Sequence, residues 1–238
     1  MILKKKLKWL IPITVVFILI IIFLVYTMNY YHADATAQDA LVSDDTVHVT
    51  QTSYGWLFDG PSEQNALIFY PGAKVEETAY APLLHLLARE GMDVCLVRMP
   101  FHLAIFGANN ADPVMAQHDY EHWYIGGHSL GGAMAASYAA GHGDRLNGLI
   151  LLAAYPTKPL NKALLEISIY GSEDGVLNME KIEAGKAYAP EDYREYVIAG
   201  GNHAQFGNYG EQRGDGPAAV SGEEQQEMTV RYIIQNKQ

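Results

Sequence analysis

Along most of the chain, short apolar runs alternate with stretches whose apolar residues recur at helical spacing. "TVHVTQ" (46–51) and "GWLFDG" (55–60) are brief, β-branched or aromatic, and bounded by turn residues, which predicts a leading hairpin. "ALIFY" (66–70) is continuously apolar, as expected of a strand covered on both faces. "EETAYAPLLHLLARE" (76–90) places Leu83, Leu86 and Leu87 on one helical face and ends before Gly91. The alternation continues with strands in "DVCLVRM", "WYIGG", "LNGLILLAA", "LEISIYG" and "YREYVIAGG". Helices fall in "LGGAMAASYAA", "NMEKIEAGKAY" and "SGEEQQEMTVRYIIQ", the last opened by Ser221 with Glu224 three residues on. The expectation is an α/β fold: a mostly parallel sheet with helices on both faces and the strand C-terminal ends gathered along one edge.

The N-terminus breaks this rhythm. From Trp9 to Met28 no residue is charged, and "LIPITVVFILIIIFLVY" is almost wholly apolar. About twenty such residues cross roughly 30 Å of hydrocarbon as a helix. Lys4, Lys5, Lys6 and Lys8 precede the run, and no basic cluster follows soon after. The positive-inside rule then predicts a cytoplasmic tail (1–8), a signal-anchor (9–28), a linker (29–44) and an α/β domain (45–238) outside the cell membrane. The alternative is cleavage at the small residues of "HADATA" followed by secretion, but the run is longer than a usual signal core.

Net charge is −11, so the chain without its four N-terminal lysines carries −15, a poor match for nucleic acid. The single cysteine, Cys95, excludes an internal disulfide, and its place in "DVCLV" reads as a small core hydrophobe.

One short segment carries candidate chemistry. Gly127-His128-Ser129-Leu130-Gly131 spells G-x-S-x-G between a predicted strand and a predicted helix, the setting of a nucleophile elbow. The turn is so tight that only small side chains fit two residues either side of the serine. Gly126, Gly132 and a helix faced with Ala133, Ala135, Ala136, Ala139 and Ala140 extend the thin region. A serine hydroxyl needs a base, and the base an orienting carboxylate. In chain order the acid comes next and the histidine last. Asp174 in "GSEDG" follows one later strand and His203 in "GGNHAQFG" another; Glu173 is the rival acid. Oxyanion donors are expected at the amide of Leu130 and, in "YPGAKV", at Gly72 or Ala73.

These strings resemble the alpha/beta hydrolases, specifically the small group called alpha/beta hydrolase fold-5. The resemblance rests on "YPGAKVEETAYAPL", "GGHSLGGAMAASYAA", "IYGSEDG" and, most specific, "GGNHAQFGNYGEQRGDGPA", spanning about residues 64–234. It implies a Ser129–Asp174–His203 triad and hydrolysis of an ester-like bond in a small molecule through an acyl-enzyme, with no metal or organic cofactor. Many relatives carry a cap domain where this chain has only "AAYPTKPLNKALL". Selectivity is therefore expected from the loops 100–119 and 204–218, with Phe101, Phe106, Tyr155 and Phe206 as candidate pocket walls or, equally, core residues.

Three other readings stand beside this one. His118-Asp119-Tyr120-Glu121-His122 spells H-x-x-E-H, a zinc-peptidase pattern that needs both histidines on one helical face, yet a strand is predicted from Trp123. A non-catalytic binding module would have no need of all three triad members. An acyltransferase would use the same triad and differ only in what reaches the acyl-enzyme.

Overall fold

The computed structural model describes residues 2–61 and 64–237, with side chains from residue 11 onward. The lysines of the basic tail, and Trp9, have their side chains outside the described residues. The chain divides into two compact units, Met1–Tyr30 and Tyr31–Gln238.

The first unit is one helix, α1 (Ile2–Met28), which starts earlier than the apolar run and carries Pro12 within it. Its Ile11–Met28 stretch, with mean hydropathy 2.8, is long and apolar enough to cross a membrane.

The second unit is built on an eight-stranded sheet. The strands are β1 (His48–Gln51), β2 (Gly55–Asp59), β3 (Asn65–Tyr70), β4 (Asp93–Val97), β5 (His122–His128), β6 (Gly148–Leu152), β7 (Leu165–Gly171) and β8 (Asp192–Ile198). Their order is β1-β2-β4-β3-β5-β6-β7-β8. The leading hairpin forms as expected: β1 pairs antiparallel with β2, and β2 antiparallel with β4. Every other pairing is parallel. The central strands are apolar on consecutive residues because alternate side chains enter two different cores. Leu67 and Phe69 face one, with α3 (Ala81–Arg89) and α7 (Gly222–Ile234). Ile68 and Tyr70 face the other, with α5 (Leu130–His142). Cys95 lies in this second core.

The remaining helices are short: α2 (Ala35–Asp39), α4 (Ala111–Met115) and α6 (Met179–Gly185). The helix expected over 76–90 divides into a 3-10 turn, Glu77–Tyr80, and then α3, with Pro82 in its first turn. Leu83, Leu84 and Leu87 are its buried leucines, and Leu86 is only half-buried. At α7 the capping box of Ser221 and Glu224 is present in both directions.

The linker expected over 29–44 is a correction. From Tyr31 onward these residues belong to the second unit, held by backbone bonds that composition does not reveal. Tyr31 N–H donates to the Lys74 carbonyl (2.7 Å), its own carbonyl accepts from Glu76 N–H (2.9 Å), and Asp34 N–H donates to the Asn208 carbonyl (2.9 Å). Asp34 also caps α2 through Ala37 N–H.

Candidate active site

The residues with positive φ mark one edge of the sheet. Lys74 follows β3, Phe101 and His102 follow β4, Ser129 follows β5 and Ala153 follows β6; these are the non-glycine residues with positive φ among those described. Each sits just past the C-terminal end of a parallel strand, where backbone strain concentrates at functional sites.

Ser129 occupies the tightest of these turns, with φ 54° and ψ −122° between β5 and α5. Its amide donates to the Leu152 carbonyl of β6 (2.9 Å), and its carbonyl accepts from Ala133 of α5 (3.0 Å). The flanking glycines are required by space. A Cβ on Gly131 would run into the carbonyls of Tyr70 and Pro71, and one on Gly127 into the carbonyl of Tyr70 and the backbone of α5. A Cβ on Gly132 would lie 2.6 Å from the Ala154 methyl. The small-residue helix can therefore press its N-terminus against the sheet edge, and its amides and dipole point at the serine.

Asp174 and His203, twenty-nine residues apart, meet: Asp174 Oδ2 lies 2.8 Å from His203 Nδ1, and each side chain is only 1% exposed. The other carboxylate oxygen accepts from Val176 N–H (2.9 Å) and Leu177 N–H (2.7 Å), so both oxygens are committed and the acid is fixed. Glu173, the rival, is exposed and accepts from the neighbouring Ser172 hydroxyl (2.9 Å) instead. With Nδ1 on the carboxylate, Nε2 of His203 is left with a free lone pair. It is buried and has no hydrogen-bond partner among the described residues, so the Ser129 hydroxyl is not bonded to it. Such contacts are often long before substrate arrives.

What joins His203 to the elbow is a residue the sequence reading passed over. His128, the first x of G-x-S-x-G, is 1% exposed, and its ring centroid stands 4.4 Å from that of His203. Its Nδ1 lies 2.8 Å from the Tyr80 hydroxyl, which also accepts from Gly72 N–H (3.0 Å). Burial above all holds the pKa of His128 well below that of an ordinary histidine, so it is neutral. The Gly72 bond also narrows the oxyanion expectation: its amide is already engaged. The amides of Ala73 and Leu130 have no partner among the described residues.

The four candidate pocket walls separate. Phe101 and Phe106 are half-exposed, with ring centroids 5.7 Å apart in an edge-to-face pair. Their segment reaches the loop after β3 through Lys74 N–H donating to the His102 carbonyl (2.8 Å). Tyr155 is half-buried, with its Cβ against Gly185 of α6. Phe206 is fully buried, its centroid 5.6 Å from that of His128; it is a core residue and not a wall. Residues 153–164, between β6 and β7, carry no helix and no cap.

The H-x-x-E-H segment is not helical. Nε2 of His118 lies 2.9 Å from the Tyr54 hydroxyl, and Nδ1 of His122, on β5, lies 3.1 Å from Asn147 Nδ2. The geometry that pattern needs is absent among the described residues, as is any group of three side chains arranged to hold a metal.

A family model described as "Alpha/beta hydrolase family" matches residues 66–227. No curated protein matches the sequence. Several solved structures share the fold. A monoacylglycerol lipase from Paleococcus ferrophilus superposes with TM-score 0.59 at 13% identity, covering 79% of this chain and 98% of its own. Carboxyl esterase 2 from Tuber melanosporum gives 0.57 at 10% identity, covering 85% and 90%. A dienelactone hydrolase from Anabaena variabilis gives 0.58 at 10% identity, covering 81% and 100%. At these identities the likeness is one of fold.

Proposed function

Because the chain belongs to the alpha/beta hydrolase family, we propose that it is a membrane-anchored serine hydrolase that cleaves a carboxylic ester-like bond with Ser129, Asp174 and His203. The observation that carries this reading is the buried 2.8 Å contact between Asp174 and His203, whose ring stands 4.4 Å, centroid to centroid, from that of His128, the residue before the strained Ser129.

In this reading the Ser129 hydroxyl attacks the substrate carbonyl while its proton passes to Nε2 of His203. Asp174 accepts the Nδ1 proton's hydrogen bond and stabilises the imidazolium. The amides of Leu130 and Ala73 receive the oxyanion; one such donor is typically worth about 10²–10³ in rate. His203 then returns the proton to the leaving alcohol, and water, activated by the same imidazole, releases the acid from Ser129. The half-exposed Phe101 and Phe106, on a segment bonded to the Ala73 loop, support a substrate with an apolar acyl chain. The apolar Ile11–Met28 helix supports an anchor with the catalytic domain outside the cytoplasm.

The test is a series of p-nitrophenyl esters of rising chain length given to the full-length protein in detergent. The expected outcome is turnover that is lost in Ser129→Ala and in His203→Ala. Turnover that survives both substitutions would show that another group does the chemistry.

A further inference from the structure

The loop after His203 carries a carboxylate for which the proposed reaction has no use. Asp215 lies in "GEQRGDGPA", inside the most specific string of the chain. Its Oδ1 accepts from the amides of Gly175 (3.1 Å), His203 (3.2 Å) and Gly216 (2.8 Å), and its Oδ2 from the amide of Ala204 (2.8 Å). Gly175 directly follows the acid, and His203 and Ala204 are the base and its neighbour. One side chain thus gathers amides from the two turns that hold the acid–base pair.

The surrounding contacts are built around this junction. Glu173 N–H donates to the Gly201 carbonyl (2.8 Å), joining the same two turns a second time. Gly216 comes so close to Glu173 that a Cβ there would strike its carbonyl, and a Cβ on Gly175 would lie 2.6 Å from the Gly214 carbonyl. Asn202 Nδ2 donates to the Gly216 carbonyl (2.9 Å). From α7 the fully buried Gln225 grips the Asn202 backbone twice, accepting from its amide (2.9 Å) and donating to its carbonyl (2.8 Å).

Four converging N–H groups suit an ionised carboxylate, which accepts at both oxygens and makes charge-assisted bonds roughly twice as strong as neutral ones. An amide in its place offers one oxygen and turns N–H against N–H. We infer that Asp215 is a positioning residue: its carboxylate fastens the turn bearing Asp174 to the turn bearing His203 and keeps that pair in register through turnover. This rests on the triad reading above.

The experiment compares Asp215→Asn and Asp215→Ala with Asn147→Ala, which removes an acceptor for Trp123 N–H (3.1 Å) and lowers stability at the N-terminal ends of β5 and β6, the opposite edge of the sheet from the pair. Full-length protein in detergent micelles is examined three ways: kcat and KM on a p-nitrophenyl ester, melting temperature, and the downfield proton NMR signal of the His203 Nδ1–H, assigned by its loss in His203→Ala. For Asp215→Asn we expect kcat to fall on the order of 10²-fold with little change in KM, the size of loss that misplacing a catalytic group by an ångström produces. The downfield signal should shift or broaden. Asn147→Ala should lower the melting temperature and leave both kcat and the signal alone. If both Asp215 variants keep kcat and the signal while melting earlier, the carboxylate only scaffolds its loop and the inference is overturned. If the wild type shows no Ser129-dependent turnover, the triad reading fails, and the NMR signal alone decides: moved, it supports the fastening role; unmoved, it refutes it.

Discussion

The hydroxyl of Tyr80 lies 2.8 Å from Nδ1 of His128, the residue immediately before the elbow serine. The same oxygen accepts from Gly72 N–H, so one phenol links the loop after β3, which carries Ala73, to the end of β5. Tyr80 is fully buried, and burial drives its pKa upward, so the link stays protonated. Tyr80→Phe keeps the ring and leaves a buried amide and a buried imidazole nitrogen unpaired, which costs about 1–3 kcal/mol. We expect a lower denaturation midpoint, and a kcat loss larger than the KM change because the Ala73 amide is displaced. Wild-type values for both would mean that the link holds nothing.

The acid assignment divides two adjacent carboxylates. Asp174→Asn should cut kcat by roughly 10⁴-fold with the fold intact, since the wrong imidazole tautomer is then favoured. Glu173→Gln should stay near wild type, because that side chain is exposed and bonds only to Ser172. Steady-state kinetics on the two purified variants distinguishes them, and a reversed order would transfer the role to Glu173.

Two glycines of α5 should respond in opposite directions. Gly131→Ala drives a methyl into the carbonyls of Tyr70 and Pro71, so the elbow cannot close; loss of soluble protein is the expected result. Gly141 has nothing within 4 Å of where its Cβ would sit. Gly141→Ala should therefore stabilise by up to about 1 kcal/mol through helix propensity alone, read as a higher denaturation midpoint.

Buried titratable groups predict the pH profile of stability. Glu166 on β7 is 1% exposed, and burial raises its pKa to about 7. The folded state thus holds a proton that the unfolded chain releases above the ordinary value of 4.5, so this group's contribution falls as pH rises from about 4.5 through 7. His128 works the other way. Its pKa is depressed from 6.5, so stability is lost as pH falls below that value. In Glu166→Gln the descending limb should disappear. The variant should gain roughly 2–3 kcal/mol over wild type at pH 8 relative to its difference at pH 5, from the size of the shift. Guanidinium titrations at the two pH values measure this, and an equal difference at both would contradict it.

Much of this architecture is visible in the chain itself. Parallel strands buried on both faces must be apolar at consecutive positions, so "ALIFY" and "LNGLILL" read as strands before any coordinate is known. The elbow glycines are legible because a Cβ at Gly127 or Gly131 has no space, and the pairing of Asp174 with His203 follows from the order of residue types along the strand ends. Residues 31–44 were illegible because much of what holds them is backbone amides and carbonyls, the same for every residue type, and the rest is contact with residues far along the chain, such as Asp44 with His85 and Arg89. The Asp215 junction was hidden for the same reason. Tyr80 and His128 are forty-eight residues apart, and nothing in a helical stripe marks the one tyrosine whose hydroxyl reaches a strand end. Phe206, which the sequence left open between pocket wall and core, lies in the core with its ring centroid 5.6 Å from that of His128.

The most direct measurement of the central claim is intact mass and peptide mapping after treatment with a fluorophosphonate. The account predicts a single adduct per chain on Ser129, absent in Ser129→Ala and formed far more slowly in His203→Ala. Failure of the folded wild type to form an adduct, or one that persists in Ser129→Ala, would contradict it.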